Sequence, residues 1–367
     1  VLIRSIVYAV GSTVISVSFG LGLAWIIVKT NTPFRRFLAI MPIVPYMIPS
    51  VLLSISYVFL FSSRIGIINQ YLMWLFDLEG PVFDIYSLFG MMWVVGIFEA
   101  PFAFLIISAA LMSMDASLEE SARVLGSGIL GTLRHVVIPI IAPAILAAAT
   151  LNIVRSLETF DVPAVLGLPN RLFVFPTMIY RMMVTGGEPN IQGASSFSMI
   201  LFALIILLIY LYRYFTRQTY RYATLSPRGY KPVITDIGRW KYLTLSFVIF
   251  YFVVSVVLPI GILAFVSVMP SFKVPTIDDL PRLTLKNYVE VFRFPSAERA
   301  FLNSIFLAVV GATLAMVLCS VISYITVKMK IKGVGILESV TFLPFATPGI
   351  IMAVGLLWAS ARARWSS

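Results

Sequence analysis

Few side chains in this sequence could take part in chemistry, and the most unusual is an acid inside an apolar segment. Glu99 lies near the middle of the apolar run Leu88–Met112, directly before Ala100 and Pro101. An ionisable group at mid-bilayer costs about 2.5–3.5 kcal/mol on insertion scales, so it should face protein or water rather than lipid. Two interpretations stay open. Either Glu99 and Pro101 line a passage for a solute, or Glu99 is a protonated or hydrogen-bonded acid that stabilises a kink at Pro101.

A second group of polar residues forms a short stretch between two apolar runs. Residues 118–143 read LEESARVLGSGILGTLRHVVIPIIAP. Ser117 is predicted to cap a short helix, with Glu120 at the third helical position in capping-box spacing. Gly126 can end that helix, and Pro139 lies near the start of the next apolar run, where proline is tolerated. The stretch is therefore predicted to be a short helix and a turn, with small residues that let another surface approach closely.

The remaining polar residues provide no catalytic set. The sequence contains one histidine, His135, and one cysteine, Cys319, and it lacks a GxxxxGK[ST] sequence for binding ATP. These counts predict no metal site, no cofactor and no enzymatic activity in the chain itself. Arg155 and Glu158 are three residues apart and are predicted to form a simple ion pair at the end of an apolar run.

The elements that position these residues are predicted to be membrane-spanning helices. Hydrophobic residues make up 60% of the 367 residues and charged residues only 12%, with a mean hydropathy of +0.98. Soluble domains are usually about 25% charged. In lipid the backbone has no water to bond, so each long apolar run must be helical. Eight spans are predicted: Ser5–Val28, Phe37–Phe61, Leu88–Met112, Val136–Val154, Phe197–Tyr212 (which should begin a few residues earlier), Tyr242–Met269, Phe301–Val327 and Ile336–Trp358.

The distribution of charge predicts the orientation of these spans. The net charge is +11, but the cations are not gathered on one arm, so a nucleic-acid partner is not predicted. Lys and Arg concentrate instead in every second connection between the apolar runs. The positive-inside rule makes those connections cytoplasmic, including the stretch 118–143, and puts the N-terminus outside.

An internal repeat predicts two homologous halves. The first two spans recur in spans seven and eight in one gapless register. The matched positions include one lysine and two prolines in each copy: Lys29 with Lys328, Pro45 with Pro344, and Pro49 with Pro348. An even number of spans separates the two copies, so the repeat is parallel rather than inverted.

The predicted architecture is an all-α polytopic membrane protein of about eight transmembrane helices in two parallel-repeat halves, both apparently truncated. Residues 1–215 form the first half, without its first helix and with the polar segment 115–139. Residues 216–240 form a basic cytoplasmic linker. Residues 241–367 begin the second half and end before its own polar segment.

The polar segment resembles the "EAA" loop of permease subunits in binding-protein-dependent ABC importers. Glu120-Ser121-Ala122 stands where the family has Glu-Ala-Ala, and Gly126 has the family spacing. Ser121 departs from the alanine of the pattern, and Val136 departs from its isoleucine. The resemblance implies a type I (MetI-like) fold in which this loop forms a coupling helix that docks into a groove on an ATP-hydrolysing subunit. The candidate coupling residues are Glu119, Glu120, Ser121, Ala122, Gly126, Val136, Ile138 and Pro139.

A second stretch, SLETFDVPAVLGLPNRLFVFPTMIY, is similar to the fused two-domain ferric-iron permeases. This resemblance implies a permease subunit of an ATP-driven importer in the bacterial plasma membrane. Its partners would be an ABC ATPase homodimer, an extracytoplasmic binding protein and the lipid bilayer. Ferric iron is the expected cargo, with thiamine or an aminoalkylphosphonate as alternatives. An ion-coupled secondary transporter with parallel halves is the alternative function, but it predicts several membrane-embedded charges, and only Glu99 lies clearly mid-span.

Overall fold

The protein is helical throughout its regular structure. The computed structural model describes residues 1–184, 189–217, 234–270 and 282–329, with scattered positions between 334 and 356. These residues contain no strand, and their β-type hydrogen bonding is an isolated parallel bridge between Thr30 and Thr235. The fold is therefore all-α, as predicted.

Six helical segments in the described part of the chain are long and apolar enough to cross a membrane. They match the first, third, fourth, fifth, sixth and seventh predicted spans, and the fifth begins earlier than its apolar core, as expected. The chain is a polytopic membrane protein. The segments are Leu2–Lys29, Leu88–Ser113, Ile129–Glu158, Ile191–Tyr212, Trp240–Ser267 and Pro295–Thr326.

The helices are numbered here in chain order. Those before residue 185 are α1 (Leu2–Lys29), α2 (Arg35–Leu38), α3 (Ser50–Phe61), α4 (Ile67–Phe76), α5 (Leu88–Ser113), α6 (Ala116–Val124), α7 (Ile129–Thr132), α8 (Ile138–Glu158) and α9 (Phe175–Val184). Those after it are α10 (Ile191–Arg217), α11 (Trp240–Phe252), α12 (Leu258–Ser267), α13 (Lys286–Arg293) and α14 (Pro295–Lys328).

The prediction of one continuous second span, Phe37–Phe61, is wrong. The chain there forms the short helix α2, a 3₁₀ turn at Val44–Met47 and then α3. Pro45 lies inside the 3₁₀ turn and Pro49 directly precedes α3. Proline lacks an N–H and disfavours helical geometry in the residue before it, so two prolines four residues apart interrupt the helix. At 12 residues α3 is about 18 Å long, too short to cross the bilayer core alone. The predicted eighth span lies largely outside the described residues.

The centre of the fold is formed by α1, α5 and α8, which pack against one another. A Cβ added at Gly20 of α1 would lie 2.6 Å from the Cβ of Ala103 on α5, so only glycine allows this close approach. Small residues at helix contacts are a common means of packing helices in lipid, where the hydrophobic effect does not drive association. This packing holds α5 and α8 rigidly beside each other.

Two π turns let helices continue past prolines. Leu133–Val137 joins α7 to α8 and ends two residues before Pro139, and Val253–Val257 joins α11 to α12 and ends two residues before Pro259. A π turn shifts the main-chain hydrogen bonds by one residue, so the helix continues although proline has no N–H to donate. The fourth predicted span therefore extends as one helical run from Ile129 to Glu158, longer than its apolar pattern indicated.

The chain divides into two compact units, residues 1–262 and 263–367. The first unit contains both candidate sites described below. In the second, the Asn287 side-chain amide donates to the carbonyl oxygens of Ser267 and Met269 at 3.0 and 2.7 Å. These bonds join the start of α13 to the end of α12 and the residues after it. The predicted linker, residues 216–240, lies mostly outside the described residues.

Candidate coupling segment and membrane-embedded ion pair

Helix α6 begins two residues earlier than the capping-box pattern predicted. Its N-cap is Asp115, whose carboxylate accepts from the N–H of Ser117 at 2.9 Å, so the prediction of Ser117 as the cap is wrong. Leu118, not Glu120, is then the third helical residue. A carboxylate caps as well as a hydroxyl does, and its negative charge is also stabilised by the positive end of the helix dipole.

The end of α6 agrees with the prediction. Gly126 has a φ of +84°, a left-handed conformation that favours glycine. The N–H of Gly126 donates to the Arg123 carbonyl at 2.9 Å, and the N–H of Ser127 donates to the Ala122 carbonyl at 3.0 Å. This pair of bonds is a Schellman motif, and it turns the chain sharply toward α7.

The outer side of α6 and the following turn expose large apolar side chains. Val124 and Leu125 are each 87% exposed and Leu130 is 79% exposed, and Leu118 is also exposed. These four residues are called the apolar coupling face below. Four large exposed apolar side chains on one short segment are a candidate interaction surface. Val124 and Leu125 were not among the residues predicted from sequence, although apolar residues in a predicted cytoplasmic helix were a signal for them.

The residues named from sequence occupy different environments on this segment. Glu120, Ser121 and Gly126 are exposed beside the apolar coupling face, and Ala122 is half-buried. Val136 and Ile138 are half-buried where α8 begins, and Pro139 is exposed there. All except Glu119 therefore have atoms accessible to a partner.

Glu119 points inward instead. Its carboxylate accepts a hydrogen bond from the Nζ of Lys29, the last residue of α1. The two side chains are 3% and 1% exposed. Removing two charges from water costs several kcal/mol per ion, so this pair is tolerated because each charge compensates the other. Glu119 fastens α6 to α1 and is not on the outer surface.

The mid-membrane acid Glu99 forms an ion pair across two helices. The Arg155 guanidinium on α8 donates to Glu99 on α5 through Nε at 2.7 Å and through Nη2 at 3.1 Å. Arg155 thus pairs with Glu99, and the predicted pair with Glu158 is wrong. The physical reason is burial: the Glu99 side chain is only 3% exposed and needs a compensating charge, which the packing of α5 against α8 brings within reach.

Aromatic residues complete the surroundings of this pair. Nη2 of Arg155 also donates to the Tyr46 hydroxyl at 2.6 Å. The Tyr46 ring stacks on Phe98 with centroids 5.7 Å apart, and the guanidinium carbon of Arg155 lies 5.1 Å from the Phe102 ring centre. Pro101 is buried inside α5. Glu99 is thus hydrogen-bonded, as in one of the two interpretations from sequence, but its partner Arg155 lies on another helix. The Arg155 side chain remains 34% exposed.

Within the described residues, no group of three or more His, Cys, Asp or Glu side chains is placed to hold a metal ion.

Comparisons with known proteins point to one family. The family model described as "Binding-protein-dependent transport system inner membrane component" matches residues 16–222. The chain is 27% identical over 263 residues to the ferric transport system permease protein FbpB of Actinobacillus pleuropneumoniae, covering 71% of this chain and 37% of that protein. The chain therefore spans well under half of that relative's length.

One more relative and one solved structure are similar to the chain. The molybdenum transport system permease protein ModB of Escherichia coli K12 is 29% identical over 196 residues, which cover 52% of this chain and 82% of ModB. A chain in the crystal structure of a bacterial alginate ABC transporter, bound to a periplasmic protein carrying an alginate pentasaccharide, matches with a TM-score of 0.47 and 22% identity. That match covers 60% of this chain and 79% of the other.

Proposed function

Because the chain belongs to the family of binding-protein-dependent transport system inner membrane components, we propose that it is the transmembrane permease subunit of an ATP-driven ABC importer. It is a multi-pass protein of the inner membrane. In the proposed importer an ATPase homodimer hydrolyses ATP, and an extracytoplasmic binding protein delivers the solute. The chain itself catalyses no reaction and moves between conformations that open to either side of the membrane.

The observation that carries this proposal is the apolar coupling face on α6 and the turn after it. Val124, Leu125 and Leu130 are the most exposed of its side chains. Glu120 and Ser121 lie beside them, and the Schellman motif at Gly126 gives the segment a defined end. A short capped helix joined closely to α5 and α8 transmits displacement to both spans. We propose that the ATPase docks on this face and also contacts the residues beside it, which are Glu120, Ser121, Ala122 and Gly126, together with Val136, Ile138 and Pro139 where α8 begins.

Ferric iron is the proposed cargo. Its support is the similarity to a ferric transport permease over 71% of this chain. ModB, a molybdenum permease, is also similar, so family membership alone does not select the metal. Uptake of radioactive ferric iron by cells that depend on this chain tests the cargo directly, with molybdate uptake as the matched comparison.

We propose that the Glu99–Arg155 pair and Pro101 lie beside the translocation path. The support is the unequal burial of the two charges. Glu99 is enclosed, whereas a third of the Arg155 side chain is accessible. In this arrangement the accessible part of Arg155 borders the path, and Glu99 holds the guanidinium in place and offsets its positive charge.

Docking of the ATPase is tested by substituting the apolar coupling face. Val124→Asp and Leu125→Asp place charges where a partner should bury apolar surface. Burying one such side chain contributes about 1.5–3 kcal/mol, so each substitution should weaken ATPase binding at least about tenfold. The measurement is the amount of ATP-hydrolysing subunit that co-purifies with the tagged chain in detergent. That subunit is first identified in the wild-type complex by its nucleotide-binding sequence.

The matched control is Val82→Asp. Val82 is 50% exposed in the loop at the opposite end of α5, so the same change is made away from the proposed interface. The proposal expects ATPase to be retained by Val82→Asp and lost by the other two variants. Equal ATPase recovery in all three would contradict it, as would uptake that continues without ATP and follows a proton gradient.

A further inference from the structure

Residues 234–238, which directly precede α11, lie beside the end of α1; they are called the strap below. The N–H of Thr235 donates to the Lys29 carbonyl at 2.7 Å, and the N–H of Asn31 donates to the Thr235 carbonyl at 3.1 Å. These two bonds form the isolated parallel bridge of the fold. The strap is therefore attached through its main chain to the residues that follow α1.

Side-chain bonds fix the position of the strap along that contact. The Asn31 amide donates to the Asp236 carboxylate at 2.6 Å, and its oxygen accepts from the N–H of Ile237 at 3.2 Å. The same carboxylate accepts from the N–H of Gly238 at 2.9 Å. The Gly238 N–H and the Asn31 amide lower the pKa of Asp236 from its usual value. Because these bonds are directional, they specify one register between the strap and the end of α1.

The strap also contacts α6. The Arg123 guanidinium on α6 donates to the Thr235 hydroxyl. Glu119, which binds Lys29, lies four residues earlier on α6, so both contacts are on the same helical face. Lys29 supplies its side chain to Glu119 and its carbonyl to Thr235. The end of α1, the strap and α6 thus form a closed set of polar contacts, on the face of α6 opposite to its exposed residues.

The contacts continue into α11. The hydroxyls of Thr30 and Thr32 are 2.7 Å apart, and the Thr32 hydroxyl is 2.7 Å from that of Thr244 on α11. Helix α11 begins at Trp240, two residues after the strap ends. A displacement of α6 therefore has a continuous bonded route to α11.

We propose that Asn31, Thr235 and Asp236 are positioning residues that transmit the movement of α6 to α11, the first helix after the predicted linker. This inference rests on the proposed function, in which α6 receives the movement of the ATPase. Helix α11 starts about a hundred residues after the end of α6, so α6 cannot move it through the adjoining chain. The strap would provide the contact between the two helices.

The first test measures hydrogen exchange of the purified chain, without any ATPase. Asp236→Ala removes the acceptor for Asn31 and Gly238. Losing these two hydrogen bonds should make amide exchange in the strap and in α6 at least about fivefold faster. Asp236→Asn keeps an acceptor oxygen and should restore slow exchange. Thr235→Val, which removes only the hydroxyl bonded to Arg123, should raise exchange in α6 alone.

The control for this test is Asp84→Ala. The carboxylate of Asp84 accepts from the N–H two residues later, that of Tyr86, as Asp236 does from Gly238, but it lies in the loop before α5. Exchange in α6 should not change in this variant. If Asp236→Ala loosens the strap and leaves α6 unchanged, the strap is not connected to α6 and the inference is overturned.

The second test separates transmission from a purely structural role. In the complex with its ATPase, Asp236→Ala should retain the bound ATPase and its hydrolysis but transport several-fold less ferric iron per ATP. A proportional loss of uptake and hydrolysis would overturn the inference, because it indicates only a damaged fold. If the wild-type chain binds no ATPase, the proposed function fails, while the exchange experiment still decides whether the strap holds α6.

Discussion

Two buried acids are compensated in different ways: Glu119 on α6 by a lysine at the end of α1, and Glu99 on α5 by an arginine on α8. Glu119 and Lys29 are both almost fully enclosed, and one contact joins them. Glu99 is enclosed to the same degree, but Arg155 binds it through two nitrogens and remains 34% exposed. The Tyr46 hydroxyl and the Phe102 ring contact the same guanidinium.

Of these two pairs, only Glu99–Arg155 can respond to something outside the chain. The Lys29–Glu119 pair has no accessible charge, so it can only hold α1 and α6 together. The Glu99–Arg155 pair presents part of a cation, so its environment can change when a solute or another helix approaches. We therefore expect the first pair to matter mainly for stability and the second mainly for transport.

The largest expected effect comes from breaking the enclosed pair. Lys29→Met leaves Glu119 buried without a partner, which should lower the free energy of unfolding by about 3–5 kcal/mol. The double variant Lys29→Met/Glu119→Leu removes both charges and should recover most of that loss. SDS titration of the chain in detergent micelles measures both. A double variant as unstable as the single one would show that the pair is not what makes Lys29 important.

A smaller stability effect and a larger transport effect are expected at the accessible pair. Glu99→Gln keeps an acceptor for Arg155 but removes the negative charge, and should cost about 1–3 kcal/mol of unfolding free energy, since Arg155 still reaches solvent. Uptake should fall by more than the loss of folded protein alone would cause, while ATPase binding is unchanged. Uptake by Glu99→Gln equal to that of the wild type would remove Glu99 from the transport mechanism.

The smallest effect is expected from the neighbour of that pair. Tyr46→Phe removes the hydroxyl that accepts from Arg155 and keeps the ring that stacks on Phe98. One hydrogen bond contributes about 0.5–1.5 kcal/mol, so the same SDS titration should show a shift of that order. A loss as large as that of Lys29→Met would mean that the accessible pair is as structural as the enclosed one, and the distinction between the two would fail.

The spans were predictable because lipid imposes a simple rule on long apolar segments. The end of α6 was predictable too, since Gly126 is suited to the left-handed conformation found there. The second span was not, although its cause is local. The predicted span Phe37–Phe61 ran through Pro45 and Pro49, but at this spacing the two prolines interrupt the helix.

The ion pairs were not predictable, because their partners are brought together by packing. Glu119 belongs to a recognisable pattern, yet the pattern does not tell which face of α6 turns toward Lys29. Arg155 has an acid three residues away on its own helix, and nothing local indicates that an acid on α5 is closer. Sequence spacing identifies neighbours on one helix, whereas contacts between helices depend on how α1, α5 and α8 are rotated against one another.

Cross-linking from the apolar coupling face tests the central claim most directly. Cys319 is the sequence's single cysteine, so Cys319→Ser provides a background in which one new thiol carries a photoreactive label. We predict that a label on Val124→Cys or Leu125→Cys cross-links to the ATP-hydrolysing subunit in active membranes, and that a label on Val82→Cys does not. Transport-active membranes in which neither Val124→Cys nor Leu125→Cys cross-links to that subunit would show that the ATPase does not dock on the apolar coupling face.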